Sequence, residues 1–130
     1  MRSNPRDMSI GRVLRSVGYA LAGVRVLMET QHSAHIHALA TLLVAGLAAV
    51  LRLPIADWCW LTLAIAMVWF AETINTAVEF LCDVVSPGFS PMIKNVKDVA
   101  AAAVFFAITG AVIIGFLILG PPLLAWWKER

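Results

Sequence analysis

Residues 69–83 read Trp69-Phe70-Ala71-Glu72-Thr73-Ile74-Asn75-Thr76-Ala77-Val78-Glu79-Phe80-Leu81-Cys82-Asp83, an apolar run interrupted by three carboxylates and an amide. Glu72, Asn75, Glu79 and Asp83 stand at offsets of 0, 3, 7 and 11. At roughly 100° per residue they fall near about 0°, 300°, 340° and 20°, a single face of one helix. The run continues upstream into apolar sequence that begins near Trp58, so the ladder belongs to a helix long enough to cross a bilayer. A charged group at the bilayer centre costs about 2.5–3.5 kcal/mol on insertion scales. Interhelical hydrogen bonding explains Asn75 alone, but it does not explain Glu72 and Glu79 on the same face. The ladder therefore reads as a functional site inside a membrane protein.

Composition supports the membrane half of that reading. Of 130 residues, 61% are hydrophobic and 14% charged. A soluble domain carries roughly 45–50% apolar and 25% charged residues, and a chain this short has no interior large enough for the excess. The net charge of +2, with no Lys/Arg run longer than a pair, excludes a nucleic-acid partner read from charge. Cys59 and Cys82 lack CxxC or metal-type spacing and read as packing residues. The polar, basic N-terminus has no apolar h-region or A-x-A site, so the first hydrophobic span is expected to be retained and to act as its own insertion signal.

Apolar positions Ile10, Val13, Leu14, Val17, Leu21, Val24 and Met28 recur at three and four residues, with Arg12, Arg15 and Arg25 between them. This pattern predicts an amphipathic helix over residues 9–28 lying in the headgroup region. Span one is expected over 36–52, ended by the turn at Leu53-Pro54-Ile55-Ala56-Asp57, and span two over 58–81, with Trp58 and Trp60 as interface anchors. The segment Ser86-Pro87-Gly88-Phe89-Ser90-Pro91 breaks the chain. Span three is expected over 99–119, closed by Pro121-Pro122 and anchored by Trp126 and Trp127. The expected fold is thus an all-α membrane protein, with one surface helix and three transmembrane helices in a single domain. Seven basic residues (Arg2, Arg6, Arg12, Arg15, Arg25, Lys94, Lys97) oppose three (Arg52, Lys128, Arg130). This bias puts the N-terminus and the second loop in the cytoplasm.

Glu72 and Glu79 are separated by about 10.5 Å along a helix axis, too far to share one small ion, so they are expected to do different work. One suits a general base and the other a ligand for a hard cation such as Mg²⁺, which takes one or two carboxylates and completes its shell with water and phosphate oxygens. Lys94, Lys97 and Asp98 follow the loop, where a lysine suits phosphate oxygens. No GxxxxGK[ST] or strand-borne GxGxxG is present, so any nucleotide site must be built from helix faces and loops.

The pattern E-x-x-N-[ST]-A-x-E-x-x-x-D over Glu72–Asp83, with Lys97-Asp98 starting fourteen residues after Asp83, resembles the prokaryotic diacylglycerol kinase family, which includes the undecaprenol kinases. The likeness extends from about Arg12 to Ala103. It takes in Gly18-Tyr19, Gly23-Val24-Arg25 and the His35-Ile36-His37 segment, where many members have R-I-H. The resemblance implies homotrimers with active sites between neighbouring subunits near the cytoplasmic face of the inner membrane. It also implies transfer of the γ-phosphoryl group of Mg²⁺-ATP to the hydroxyl of a membrane lipid, diacylglycerol or undecaprenol. Glu72 would be the catalytic base and Glu79 a metal ligand, with Asn75 orienting groups beside it. Asp83 and Gly88-Phe89-Ser90 would flank the nucleotide, Lys97 would touch phosphate, Asp98 would support that site, and Tyr19 would line it. Arg12 would sit near the lipid headgroup. Two departures stand out. The family's other metal-binding glutamate falls at Gln31, with Glu29 two residues earlier as a possible substitute. Ala101 replaces the serine of the diacylglycerol-using type, as in the undecaprenol branch. The alternative from another class is a small transporter or proton-coupled protein using the intramembrane carboxylates.

Overall fold

The computed structural model describes residues 10–129, and four helices make up nearly all of it. The first, α1, spans Ile10–Thr30. Ser9, the expected start of the surface helix, lies outside the described residues, as do Arg2, Arg6 and Arg130. Only Leu27 of α1 is buried, and Ile10, Val13, Leu14, Val17, Leu21 and Val24 are uncovered. Gln31 then takes an extended backbone (φ −112°, ψ 115°) that separates α1 from α2, His32–Val50.

Helix α2 starts four residues before the expected Ile36, because His32, Ser33 and His35 continue the helix although they break the apolar run. Its end is a Schellman cap. Arg52 N–H donates to the Ala49 carbonyl (3.1 Å), Leu53 N–H donates to the Ala48 carbonyl (3.1 Å), and Arg52 holds φ 52°. Pro54 next opens α3, Ile55–Val85, its carbonyl accepting from the N–H groups of Asp57 and Trp58. At 1.5 Å per residue, the 31 residues of α3 extend about 46 Å, beyond a hydrocarbon core of ~30 Å. A helix of that length crosses such a core either strongly tilted or with one end in the interfacial layer.

Helix α4 spans Pro91–Lys128 and corrects two expectations. Pro91, read as part of the break, is the first residue of the helix, where its missing N–H has no intrahelical acceptor to lose. Pro121 and Pro122, read as the end of span three, lie inside the helix. They remove the N–H donors for the carbonyls of Leu117 and Ile118, but proline φ is itself helical. Apolar Leu123 and Leu124 beyond them keep the chain on course, a tolerance usual for prolines in membrane helices.

Three of the helices, α2, α3 and α4, are long and apolar enough to cross a membrane. Helix α4 packs along α3, while α2 meets both more sparsely. Buried Ala48, Leu61 and Leu119 form the core where all three converge, with Val44, Trp58, Ile114 and Leu123 around it. The buried positions of α3 from Leu61 to Thr76 (Leu61, Ala64, Val68, Ala71, Glu72, Asn75, Thr76) recur at three and four residues, so Glu72 and Asn75 continue the helix's packing stripe. Large side chains such as Leu42, Phe105, Phe116 and Leu117 face outward, as a lipid environment requires. Because Ala48 is fully buried between Leu61 and Leu119, Ala48→Leu should destabilise the fold by about 1–3 kcal/mol. A lowered melting temperature of the detergent-solubilised variant would register it, and an unchanged one would place the core elsewhere.

Candidate active site

Glu72 is 3% exposed, and α2 supplies its partners. The Ser33 hydroxyl donates to its Oε1, and His37 Nε2 lies 3.6 Å from Oε2. Ser33 and His37 are four residues apart, hence on one face of α2. Thr41 is the next residue on that face. Its hydroxyl donates to the His37 carbonyl (2.8 Å) and accepts from Trp69 Nε1 (3.1 Å), while the Trp69 ring stands edge-on to the imidazole at 6.3 Å.

One turn further along the ladder, Asn75 Nδ2 donates to Glu79 Oε1 (2.9 Å). Gln31 Nε2 approaches Glu79 Oε2 at 3.5 Å. The extended backbone at Gln31 puts this residue at the mouth between α1 and α2, across from α3. Asn75 Oδ1 and Thr76 Oγ1 are buried with no hydrogen-bond partner among the described residues. An orphaned amide oxygen beside a carboxylate is costly when left unmet, and it supplies a hard oxygen donor.

At the C-terminal end of α3, Lys97 Nζ donates to Asp83 Oδ1 (2.5 Å), tying the start of α4 to the end of α3 across the loop. Asp98 pairs instead with Lys94. The neighbours Lys97 and Asp98 thus point to different partners, because residues adjacent in a helix face apart. Gly88 has open space around it, and Phe89 is 87% exposed beside half-buried Ser90. Glu29 pairs with Arg25 (2.7 Å) on the exposed side of α1, so Gln31 is the residue brought to Glu79. Tyr19 and Arg12 remain exposed on α1, and Ala101 is exposed on α4. In a single chain these three do not join the ladder.

Sequence reasoning missed Ser33 and His37 as partners of Glu72. Their signal was the spacing Ser33, His37, Thr41, a polar strip at every fourth position of an apolar helix. Among the described residues no three or more His, Cys, Asp or Glu side chains gather as a metal centre. The oxygen set at Glu79 is one carboxylate with amide groups around it.

Fold and site together define a small multi-pass membrane protein with a carboxyl group buried inside its bundle and charged groups at one end. The sequence profile of the family described as prokaryotic diacylglycerol kinase matches residues 18–119. A diacylglycerol kinase of Synechocystis sp. is 37% identical over 114 residues, covering 87% of this chain and 65% of that protein. An undecaprenol kinase of Bacillus subtilis is 30% identical over 123 residues, covering 95% of this chain and 100% of that protein. A diacylglycerol kinase of Escherichia coli is 26% identical over 108 residues, 83% of this chain and 88% of the relative. The chain thus spans about two thirds of the Synechocystis protein and the full length of the Bacillus one. It belongs to the prokaryotic diacylglycerol kinase family, and these relatives carry the names of lipid kinases.

Because the Gln31 amide now faces Glu79, Gln31→Glu would set two carboxylates against each other. Without divalent cations the variant should lose about 1–3 kcal/mol of stability. Mg²⁺ should raise its melting temperature more than it raises that of the wild type. Thermal denaturation in EDTA and in Mg²⁺ measures both, and identical Mg²⁺ responses would count against the Gln31–Glu79 juxtaposition.

Proposed function

We propose that this protein is an integral membrane lipid kinase that transfers the γ-phosphoryl group of Mg²⁺-ATP to the hydroxyl of a membrane lipid, diacylglycerol or undecaprenol. The observation that carries the reading is Glu72. It is a carboxyl group enclosed in the bundle, with one oxygen held by Ser33 and the other turned to half-buried His37.

The lipid hydroxyl gives its proton to Glu72 as its oxygen bonds to the γ-phosphorus. The bond from that phosphorus to the β–γ bridging oxygen breaks, and ADP leaves with the electron pair. Such a reaction needs alignment and charge neutralisation more than covalent help from the protein. Glu79, the orphaned Asn75 Oδ1 and the Gln31 side chain, once its amide turns to present oxygen, suit a hard cation. Bound there, Mg²⁺ would supply charge neutralisation for the ATP phosphates.

Lys97 reaches phosphate by exchanging Asp83 for it. Asp83, Gly88, Phe89, Ser90 and Asp98 flank the nucleotide, with Tyr19 of α1 closing over it. Arg12 meets the lipid headgroup, and Ala101 leaves room beside it. In this reading Arg12, Tyr19 and Ala101 serve a site shared between subunits of a homotrimer, which accords with their exposure in one chain. The N-terminus and the 86–90 loop face the cytoplasm at the inner membrane, so ATP arrives from water and the lipid arrives laterally.

Glu72→Gln should reduce transfer of labelled phosphate to either lipid by at least about 10²-fold, the lower range of general-base contributions. The purified variant should remain folded and membrane-inserted, and EDTA should silence the wild type. Substantial transfer by Glu72→Gln would remove Glu72 as the base, and phosphorylation of neither lipid by the wild type would remove the kinase reading.

A further inference from the structure

His32 and His35 stand in the first turn of α2 and take no part in the ladder. With Ser33 as origin and roughly 100° per residue, they fall near about 260° and 200° around the helix, whereas His37 falls near about 40°. The helix therefore turns Ser33 and His37 inward to Glu72 and leaves His32 and His35 on its exposed side. At a spacing of three the two imidazoles share a face, with ring centroids 6.2 Å apart and planes tilted by 57°. Neither ring has a hydrogen bond or an ion pair among the described residues.

A neutral imidazole keeps a lone pair on one ring nitrogen, and two such nitrogens side by side form a chelate for a metal ion. At a metal–nitrogen distance of about 2.0–2.1 Å, each ring centroid stands about 3.2 Å from the metal, so two rings on one ion stand at most about 6.4 Å apart. The observed 6.2 Å lies inside that limit. Both side chains are exposed, so small rotations about their χ angles narrow the bite without moving the backbone.

The donors decide the ion. Carboxylates of the neighbouring segments are committed elsewhere, Glu29 to Arg25, Glu72 to Ser33 and Glu79 to Asn75. Two nitrogens without a carboxylate suit Cu²⁺, Ni²⁺ or Zn²⁺ and not Mg²⁺, which requires oxygen ligands. The positive end of the α2 dipole lies at the same turn and works against any cation. It thereby favours the ion with the most affinity for imidazole, and Cu²⁺ heads that order.

We infer that His32 and His35 form a chelating site for a transition-metal dication, Cu²⁺ foremost, separate from the Mg²⁺ site proposed at Glu79. The first turn of α2 has no side-chain cap at Gln31. An ion bridging the two imidazoles staples that turn. The staple encloses Ser33 and adjoins Gln31, the residues that reach Glu72 and Glu79. The site is independent of the kinase reading, since its binding is measured with the metal alone.

The test uses the whole chain without a histidine tag, in detergent micelles with millimolar Mg²⁺ present. Cu²⁺ is titrated in and followed by electron paramagnetic resonance, where each coordinated imidazole adds a nitrogen coupling, and by thermal denaturation. The wild type should show coupling to both imidazoles, and its melting temperature should rise with Cu²⁺. His32→Ala and His35→Ala should each lose one coupling, and the double variant should lose the site and the thermal shift. Both positions are exposed, so circular dichroism should find the fold kept. Combining His35→Ala with Ile36→His, at a position 57% exposed, makes a facing pair at a spacing of four and should restore binding. Copper held equally by the double variant, displaced by Mg²⁺, or lost on His37→Gln instead would overturn the inference, as would a wild type that binds none.

Discussion

A carboxyl group that is 3% exposed between membrane-spanning helices is tolerable only while its oxygens are met. Glu72 finds its partners on α2, with the Ser33 hydroxyl donating to one oxygen and His37 Nε2 standing 3.6 Å from the other. The strip Ser33, His37, Thr41 is the side of α2 that is turned to α3. Thr41 then meets Trp69, and the extended residue before α2 carries Gln31 to Glu79. The apolar core at Ala48, Leu61 and Leu119 secures the opposite end of the same three helices.

Each carboxylate of the ladder has a partner from a different part of the chain. Glu72 looks to α2, Glu79 to the break before it, and Asp83 to α4. The succession runs from an enclosed carboxyl group to an ion pair in which Asp83 is 64% exposed. In the proposed kinase, a lipid in the bilayer and a nucleotide in water would meet opposite ends of such a gradient. This is the physical sense of placing the whole set on one long helix that extends past the hydrocarbon core.

Much of this was legible in the sequence because both the ladder and the spans are periodic or compositional signals. Glu72, Asn75, Glu79 and Asp83 fall on one face by arithmetic, and long apolar runs leave few alternatives to membrane helices. Helix ends were less legible. A proline reads locally as a stop, yet Pro91 opens α4 and Pro121-Pro122 are carried inside it, because the adjoining apolar sequence outweighs two lost hydrogen bonds. Partners across helices were least legible. Lys97 and Asp98 stand together in sequence but bond apart in space, and nothing local links Ser33 or His37 to a carboxyl group 39 and 35 positions away. Such pairings depend on the relative rotation of helices, which no single helix's pattern contains.

The double proline of α4 also has a mechanical meaning. Where the carbonyls of Leu117 and Ile118 have already lost their helical donors, further bending breaks no additional backbone bond. The helix therefore has a compliant joint near its far end, just below Trp126 and Trp127. A bilayer somewhat thicker or thinner can be accommodated there by swinging the terminal turns. The stretch from Pro91 to Leu119 packs along α3, which carries the carboxyl ladder, so bending at the double proline would leave the depth of that ladder unchanged.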